Sequence, residues 1–263
     1  MYIGFELDKI KNEFTYDDKT KGEELYRNIE SKVKKELQSL ILDDGVVDGT
    51  KVQKSWFPEI EVDVFISHSH ADKDDALKLA GWLYNNFKIT SFIDSCVWGY
   101  SDDLLLNINN SYSDAVNKSD SETTYNYAKC NYAASHVYMM LTNALMKMID
   151  SSECLFFMNT SNSIKLSDNI KQPKVASPWI YMELGLSKYI RLKPLDKHRY
   201  PQLEKKAMFS ALNEQALQVH YEPDLDHLFK VSESDLRNWK RNSLSNDKYK
   251  SLDYLYNKYL QSK

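Results

Sequence analysis

The stretch from residue 62 to residue 94 constrains the fold of this chain more than any other part of it. Residues 64–66 form a short, continuous apolar run, which is typical of a strand covered on both faces. Acidic residues follow, then apolar residues at helical spacing over 77–87, and then a second short apolar run over 89–94. A strand, a helix and a strand in immediate succession form a βαβ unit, so we predict a parallel sheet with a right-handed crossover.

Apolar spacing elsewhere in the chain predicts more units of the same kind. Helical periodicity is present over residues 22–42 and, more strongly, over 133–149. Residues 153–159 form a third apolar run with strand character, and a weaker run covers 215–221. Together these patterns predict an α/β fold in which helices cover both faces of a parallel sheet.

The length of the chain allows one domain with additions at its ends. We assign the main domain to residues 61–240. Residues 1–60, which show no clear period over 1–20 and then become helical, are predicted to be an N-terminal helical extension. An apolar stripe predicts a C-terminal helix over 241–263. Residues 95–132 are rich in Ser, Asn, Asp and Tyr, so we predict an insertion there.

Charge and cysteine usage argue against several classes of protein. The 34 basic and 38 acidic residues give a net charge of −4 without a long block of one sign, which argues against a nucleic-acid-binding protein. No stretch reaches the ~20 apolar residues of a membrane helix, and the first residues lack the pattern of a signal peptide. The three cysteines are widely spaced and form no CxxC pair. We therefore expect reduced thiols in a cytoplasmic protein, without a disulfide or zinc framework.

A candidate site begins at a well-marked helix start. Ser177 suits the N-cap position and Pro178 the first helical position, so we predict a helix from this point to about residue 190. Trp179 and Glu183 are then four residues apart on one face of that helix. Glu183 lies among apolar neighbours, and a buried carboxylate needs a partner, a ligand or a cleft. An indole beside a carboxylate suits a nucleotide, because the ring stacks and the acid accepts hydrogen bonds from ribose hydroxyls.

Polar residues at the ends of the predicted strands extend this candidate site. In open α/β sheets, ligands bind beyond the carboxyl ends of the strands. Two histidines in one of these loops are compatible with a metal, but no third ligand is placed near them, so we predict no metal site. The strand ends supply Ser67, His68, Ser69, His70, Asp94, Asn159 and Thr160.

Three segments resemble one protein family. Residues 63–67 (DVFIS) resemble the first strand of the Toll/interleukin-1 receptor (TIR) domain of the bacterial kind. Residues 92–94 (FID) resemble the end of the second strand of that domain. Residues 177–184 (SPWIYMEL) resemble the family's helix with the pattern Ser-x-Trp-x-x-x-Glu-Leu. The resemblance covers roughly residues 60–200 of the chain and extends more loosely to about residue 240.

The resemblance implies a flavodoxin-like fold with five parallel strands and an activity on NAD+. The matching glutamate is catalytic in the NAD-cleaving members of the family, so Glu183 is the expected catalytic residue, and Trp179 is expected to stack on the substrate. NAD+ is then a substrate that loses nicotinamide, and no cofactor is expected. The resemblance also implies self-association through TIR surfaces. It further suggests a role in bacterial antiviral defence, like that of the TIR proteins of Thoeris-type systems, which make a nucleotide signal that a separate effector senses.

The sequence departs from the family pattern in two places. Many NAD-cleaving relatives have basic residues after the first strand, where this chain has residues 68–70 (HSH). The segment that matches the family's BB loop is the long insertion at 95–132. It carries Trp98 and Tyr100, and either aromatic is a candidate to close over the nicotinamide end; we assign Trp98 to the substrate-binding site.

Two other functions compete with NAD+ cleavage. The main alternative is a non-catalytic TIR adaptor that acts by homotypic association, and a weaker one is a nucleoside deoxyribosyltransferase of related fold. Taken without the resemblance, Glu183 is more often an edge residue that reaches solvent, and Trp179 is more often core packing. The pair favours the enzyme, because an adaptor has no need of it.

Overall fold

The structure is a computed structural model that describes most of the chain. It describes residues 1–8, 10, 13–31, 47–93, 95–119, 122–164, 175, 177–190, 192–195, 199, 225–243 and 247–260, with only the backbone described at 96–99, 117–119 and 122. The strands are β1 (Ile3–Asp8), β2 (Val64–Ser67), β3 (Ser91–Ile93), β4 (Val116–Ser119), β5 (Glu122–Thr124), β6 (Cys154–Asn159) and β7 (Phe229–Val231). The helices are α1 (Tyr16–Glu30), α2 (Gly49–Trp56), α3 (Lys73–Phe87), α4 (Ser95–Tyr112), α5 (Tyr127–Ser151), α6 (Pro178–Tyr189), α7 (Glu233–Asn242) and α8 (Lys248–Leu260).

Five of the strands form one sheet in the order β3-β2-β6-β1-β7, and every pair in it is parallel. The predicted α/β fold with a parallel five-stranded sheet and flanking helices is therefore confirmed, and the architecture is consistent with a flavodoxin-like fold. The sheet differs from the usual flavodoxin-like connectivity in the position of its N-terminal strand. The N-terminal strand β1 lies beside β6, at the place where a flavodoxin-like 2-1-3-4-5 sheet has its fourth strand.

The first residues of the chain differ from the prediction. We expected a helical extension over 1–60 with no clear period at its start, whereas residues 3–8 form an interior strand of the sheet. The physical signal is a simple alternation, because Ile3, Phe5 and Leu7 are buried on one side of the strand. Helices α1 and α2 do follow within this segment, as expected.

Helices cover both faces of the sheet. On one face, which we call the α6 face, the Trp179 ring of α6 meets Tyr138 of α5 edge-on, with 5.6 Å between ring centroids. On the opposite face, the α8 face, the Tyr256 ring of α8 stacks on Phe5 of β1, with 6.2 Å between centroids. The C-terminal helix is thus packed directly against the central strands.

Helices α1 and α3 pack closely because two glycines remove the side chains at their contact. A Cβ at Gly22 would lie 1.9 Å from the Leu77 carbonyl oxygen, and one at Gly81 would lie 1.8 Å from the Asp18 carbonyl oxygen. The helices therefore approach backbone to backbone, which only glycine permits.

The segment predicted as an insertion is mostly regular. Residues 95–112 form helix α4, the strands β4 and β5 form an antiparallel hairpin, and α5 already begins at Tyr127. The strand predicted at 215–221 and the second half of the helix predicted at 22–42 lie outside the described residues. Within the described part of the chain, no helix combines the length and the apolar character needed to cross a membrane.

Candidate functional site

Helix α6 begins as its sequence predicts and carries the candidate acid inward. The Ser177 hydroxyl accepts a hydrogen bond from the Ile180 amide at 3.3 Å, and Pro178 occupies the first helical turn. Glu183 then lies in the second turn, on the side of the helix that faces the sheet, and its side chain is 0% exposed. A carboxylate in this position is costly unless polar groups surround it.

One of those groups is Ser67, the last residue of β2. Its hydroxyl donates a hydrogen bond of 2.7 Å to Oε2 of Glu183, and both residues are fully buried. The bond joins the carboxyl end of a central strand to the middle of α6. It also holds one oxygen of the carboxylate in a defined direction, which is a requirement for a group that acts on a bound substrate.

A second buried carboxylate lies on the same face of the sheet. Phe5 of β1 is opposite Phe156 of β6 on the α8 face, so the next residues, Glu6 and Phe157, are directed to the α6 face. Ser67 of β2 is opposite Phe157 in turn. The side chains of Ser67, Phe157 and Glu6 therefore form one row across β2, β6 and β1, near the carboxyl ends of these strands.

Glu6 is held by an amide from the end of the neighbouring strand. The side chain of Glu6 is buried, and its Oε1 accepts a hydrogen bond of 2.5 Å from Nδ2 of Asn159, the last residue of β6. The described hydrogen bonds to Glu183 and Glu6 thus come from neutral donors, a serine hydroxyl and an asparagine amide.

The loops beyond the carboxyl edge are tied to one another. Asp72, which is buried in the turn after β2, accepts hydrogen bonds from Thr160 Oγ1 at 2.6 Å and Asn162 Nδ2 at 2.6 Å. The loop after β6 is closed further by the Ser163 hydroxyl, which donates to the Met158 carbonyl oxygen at 2.9 Å. This network joins the loops that follow β2 and β6, the two strands that provide Ser67 and Asn159.

The other predicted site residues differ in how deeply they are buried, and two of them are not fully described. His68 is buried, with Nδ1 3.5 Å from the Ile66 carbonyl oxygen, whereas Ser69 is half-buried and His70 is exposed. Asp94 lies outside the described residues, and so does the side chain of Trp98, whose backbone belongs to α4.

Trp179 is half-buried and packs against the core, with its ring on Tyr138. Part of the indole surface of Trp179 is therefore buried by packing within the protein and is not available to a ligand. The structure thus brings Ser67 together with Glu183, and it places Trp179 one turn before Glu183 on the same helix.

Sequence reasoning missed Glu6, although a signal for it was present. The alternation of Ile3, Phe5 and Leu7 with Gly4 and Glu6 predicts a strand with one apolar face, and hence a carboxylate on its other face. The expectation of a helical extension over residues 1–60 overlooks this alternation.

This arrangement offers a fixed carboxylate beside the ends of parallel strands, which is where open α/β sheets bind their ligands. Such a group can stabilise a positive charge that develops on a sugar, or it can bind sugar hydroxyls. A comparison of the chain with protein-family models finds no match, and comparisons with curated proteins and with solved structures find none either.

Proposed function

We propose that the protein cleaves NAD+ between nicotinamide and ribose, with Glu183 as the catalytic carboxylate. The observation that carries this proposal is the hydrogen bond between Ser67 and Glu183, because it fixes a buried acid at the carboxyl end of a central strand. The TIR resemblance of the segments that contain these two residues supports the same conclusion.

The chemistry follows from the bond that breaks. When the ribosyl–pyridinium bond opens, its electron pair leaves with nicotinamide, which becomes a neutral molecule and needs no proton. Positive charge develops on the ribose ring as an oxocarbenium ion, and the negative charge of Glu183 stabilises it. Water then adds to the anomeric carbon and releases a proton, which gives ADP-ribose. Capture by a hydroxyl or an adenine nitrogen of the same molecule gives a cyclic product instead.

Other residues have supporting roles in this proposal. Ser67 orients the carboxylate of Glu183, and the remaining accessible surface of Trp179 stacks on the substrate. His68 lines the pocket from the strand end, as Asp94 does in the sequence-based prediction. The product serves as a signal in bacterial antiviral defence and is sensed by a separate effector, in keeping with the TIR resemblance.

The complete burial of Glu183 sets a condition on catalysis. Substrate reaches this carboxylate only after the chain above the carboxyl edge moves. We connect this movement with self-association, which the resemblance implies for activity, so turnover should rise more steeply than in proportion to protein concentration.

The same burial favours a second candidate function, the non-catalytic adaptor. In that case Glu183 only anchors α6 to β2, and the protein acts by binding other TIR-like domains. Apolar side chains that are exposed on and after α6 suit such an association, with Tyr181 42%, Tyr189 81% and Leu192 60% exposed.

Release of nicotinamide from NAD+ separates the two candidates. We expect the purified protein to release nicotinamide over a concentration series, and we expect Glu183→Gln to lower the rate at least about 100-fold, because the stabilising charge is lost while the shape is kept. Glu24→Gln, an exposed change on α1 that is remote from the site, is the matched control and should keep full activity. Circular dichroism should show the same fold for all three proteins.

Two results would contradict the proposal. Equal turnover by the wild type and Glu183→Gln would move the chemistry to another group. No nicotinamide at any protein concentration, together with concentration-dependent association in sedimentation, would favour the adaptor.

A further inference from the structure

Glu6 has an acceptor that the described part of the protein leaves unused. The residue is 2% exposed, and among the described residues no group donates a hydrogen bond to its Oε2 atom, while Oε1 is held by Asn159. Lys230, the neighbour of Glu6 on β7 in the strand register, is exposed and forms no ion pair with it in the described structure.

An acceptor of this kind indicates a ligand. Buried polar atoms are nearly always hydrogen-bonded, because an unmet acceptor loses its hydration without compensation. An ionised carboxylate only accepts hydrogen bonds, so the group that completes it must be a donor. A hydroxyl fits better than a metal ion, since the described residues contain no cluster of three His, Cys, Asp or Glu side chains that could hold one.

The position of Glu6 relates this acceptor to the proposed catalytic site. Glu6 and Ser67 are directed to the same face of the sheet, in one row, with Phe157 on the strand between them. Two strand spacings separate them, which is about 10 Å. Glu183, whose carboxylate Ser67 holds, and Glu6 therefore both lie on the α6 face of the sheet, near the same edge, and they are anchored at strands two positions apart.

We propose that Glu6 and Asn159 form a second sugar subsite, which binds the hydroxyls of the ribose that does not react. This inference rests on the proposed function, because it assumes that Glu183 meets the reacting ribose of a dinucleotide. The ligand class is then a molecule with two ribosyl groups joined by a diphosphate. Glu6 accepts a hydroxyl hydrogen bond through Oε2, and Asn159 positions the carboxylate through Oε1.

Substrates with one and with two riboses test this subsite. In Glu6→Gln, we expect kcat/KM for NAD+ to fall about 10-fold or more, because a hydrogen bond to a charged acceptor is lost. For nicotinamide mononucleotide, which has only the reacting ribose, kcat/KM should stay within about twofold of the wild type. Asp8→Asn is the matched control, since Asp8 is the next residue of β1 on the same face but is exposed, and it should change neither value.

An equal loss on both substrates would overturn the subsite, because it would show that Glu6 supports the whole site structurally. Wild-type kinetics on NAD+ would overturn it as well. If Glu6→Gln does not fold, Asn159→Ala takes its place, because it frees the carboxylate while keeping its charge. We expect this variant to show a smaller loss that is again confined to NAD+, and an equal effect on both substrates would contradict the proposal.

A binding measurement distinguishes failure of this inference from failure of the proposed function. Calorimetry on Glu183→Gln should show that adding Glu6→Gln weakens ADP-ribose binding about 10-fold and leaves nicotinamide mononucleotide binding unchanged. If the wild type releases no nicotinamide but this difference persists, the cleavage proposal fails and the sugar subsite stands. Equal ADP-ribose affinity in both variants, or no ADP-ribose binding, overturns the subsite itself.

Discussion

The two edges of the central sheet hold their buried carboxylates in different ways. At the amino edge, Glu153 precedes β6 and accepts hydrogen bonds from Arg199 Nε at 2.8 Å and from the Tyr256 hydroxyl at 2.9 Å. Asp63 precedes β2 and accepts a hydrogen bond from Lys248 Nζ at 2.7 Å. Each of these acids is therefore paired with a cation from a later part of the chain.

At the carboxyl edge, the described donors to the buried acids are neutral. The Ser67 hydroxyl donates to Glu183, and the Asn159 amide donates to Glu6. A neutral donor orients a carboxylate without cancelling its charge, whereas an ion pair neutralises it. Under the function that we propose, the amino edge serves stability, and the carboxyl edge presents the buried acceptor of Glu6 to a ligand.

The protonation states at the amino edge agree with this division. Burial opposes the charge of Arg199, but hydrogen bonds to Asp253 and Glu153 outweigh it and raise the pKa of the guanidinium above its usual value. Burial raises the pKa of the Tyr256 hydroxyl well above its usual value, so this group remains a neutral donor to Glu153. The guanidinium of Arg199 therefore stays charged over the whole physiological range.

The largest stability effect is expected at the amino edge. Arg199→Met removes the cation and leaves Glu153, which is 3% exposed, without its counter-charge. Breaking a buried pair in this way costs about 3–5 kcal/mol of unfolding free energy. Urea unfolding measures the loss. Arg237→Met, which breaks a partly exposed pair with Glu13, is the matched control and should cost less than about 1 kcal/mol.

Although Arg199→Met should lose stability, we expect it to keep its catalytic activity. The folded fraction of Arg199→Met should release nicotinamide at the wild-type rate per molecule, since the change is at the opposite edge from Glu183. A stability loss below about 1 kcal/mol would show that the ion pair at the amino edge does not hold the fold as proposed.

A smaller effect on stability and a larger one on activity are expected at the carboxyl edge. Ser67→Ala removes the donor to Glu183 and should cost about 1 kcal/mol of unfolding free energy. The carboxylate then loses its fixed direction, so nicotinamide release should fall about 10-fold. Unfolding and rate measurements on the same sample give both numbers. A stability loss above about 3 kcal/mol with no other consequence would identify Glu183 as a structural anchor.

Ser91→Ala provides the matched control for this variant. Ser91 is also a buried strand serine, but among the described residues its hydroxyl has no hydrogen-bond partner. Its replacement should leave both stability and activity close to those of the wild type, because no hydrogen bond is lost.

The sequence predicted the elements that local signals specify. Ser177 and Pro178 mark the start of α6 because capping involves residues only three positions apart. The βαβ unit at 62–94 was likewise visible from periodicity within one short stretch. The contact of Ser67 with Glu183 joins residues 116 positions apart, yet it agrees with the general rule that sites form at the carboxyl ends of strands.

The part that was missed depends on pairing between distant residues. Strand β1 has only six residues, and its neighbours in the sheet, β6 and β7, lie far along the chain. An alternation this short predicts a strand but not its partners, so its interior position was not predictable. Because β1 was assigned to an extension, the contact of Glu6 with Asn159, 153 positions apart, was missed with it.

The smallest effect is expected for Asp235, an acid that follows β7 and contacts helix α8. Asp235 forms an ion pair with Lys258 and accepts a hydrogen bond from the Ser232 hydroxyl at 2.7 Å. Partial burial works to raise the pKa of Asp235, but the hydrogen bonds from Lys258 and Ser232 outweigh it and lower this pKa to about 2, from an ordinary value of 3.8.

This lowered pKa predicts how stability depends on pH. The contribution of Asp235 is fully present above its ordinary pKa and is lost as the pH falls through its lowered value of about 2 in the folded protein. Because the side chain remains partly in water, we expect this contribution to be below about 1 kcal/mol. Urea unfolding at pH 5 and pH 3 should show a stability gap between the wild type and Asp235→Asn that narrows at the lower pH. A gap that widens on acidification would contradict the pairing of Asp235 with Lys258.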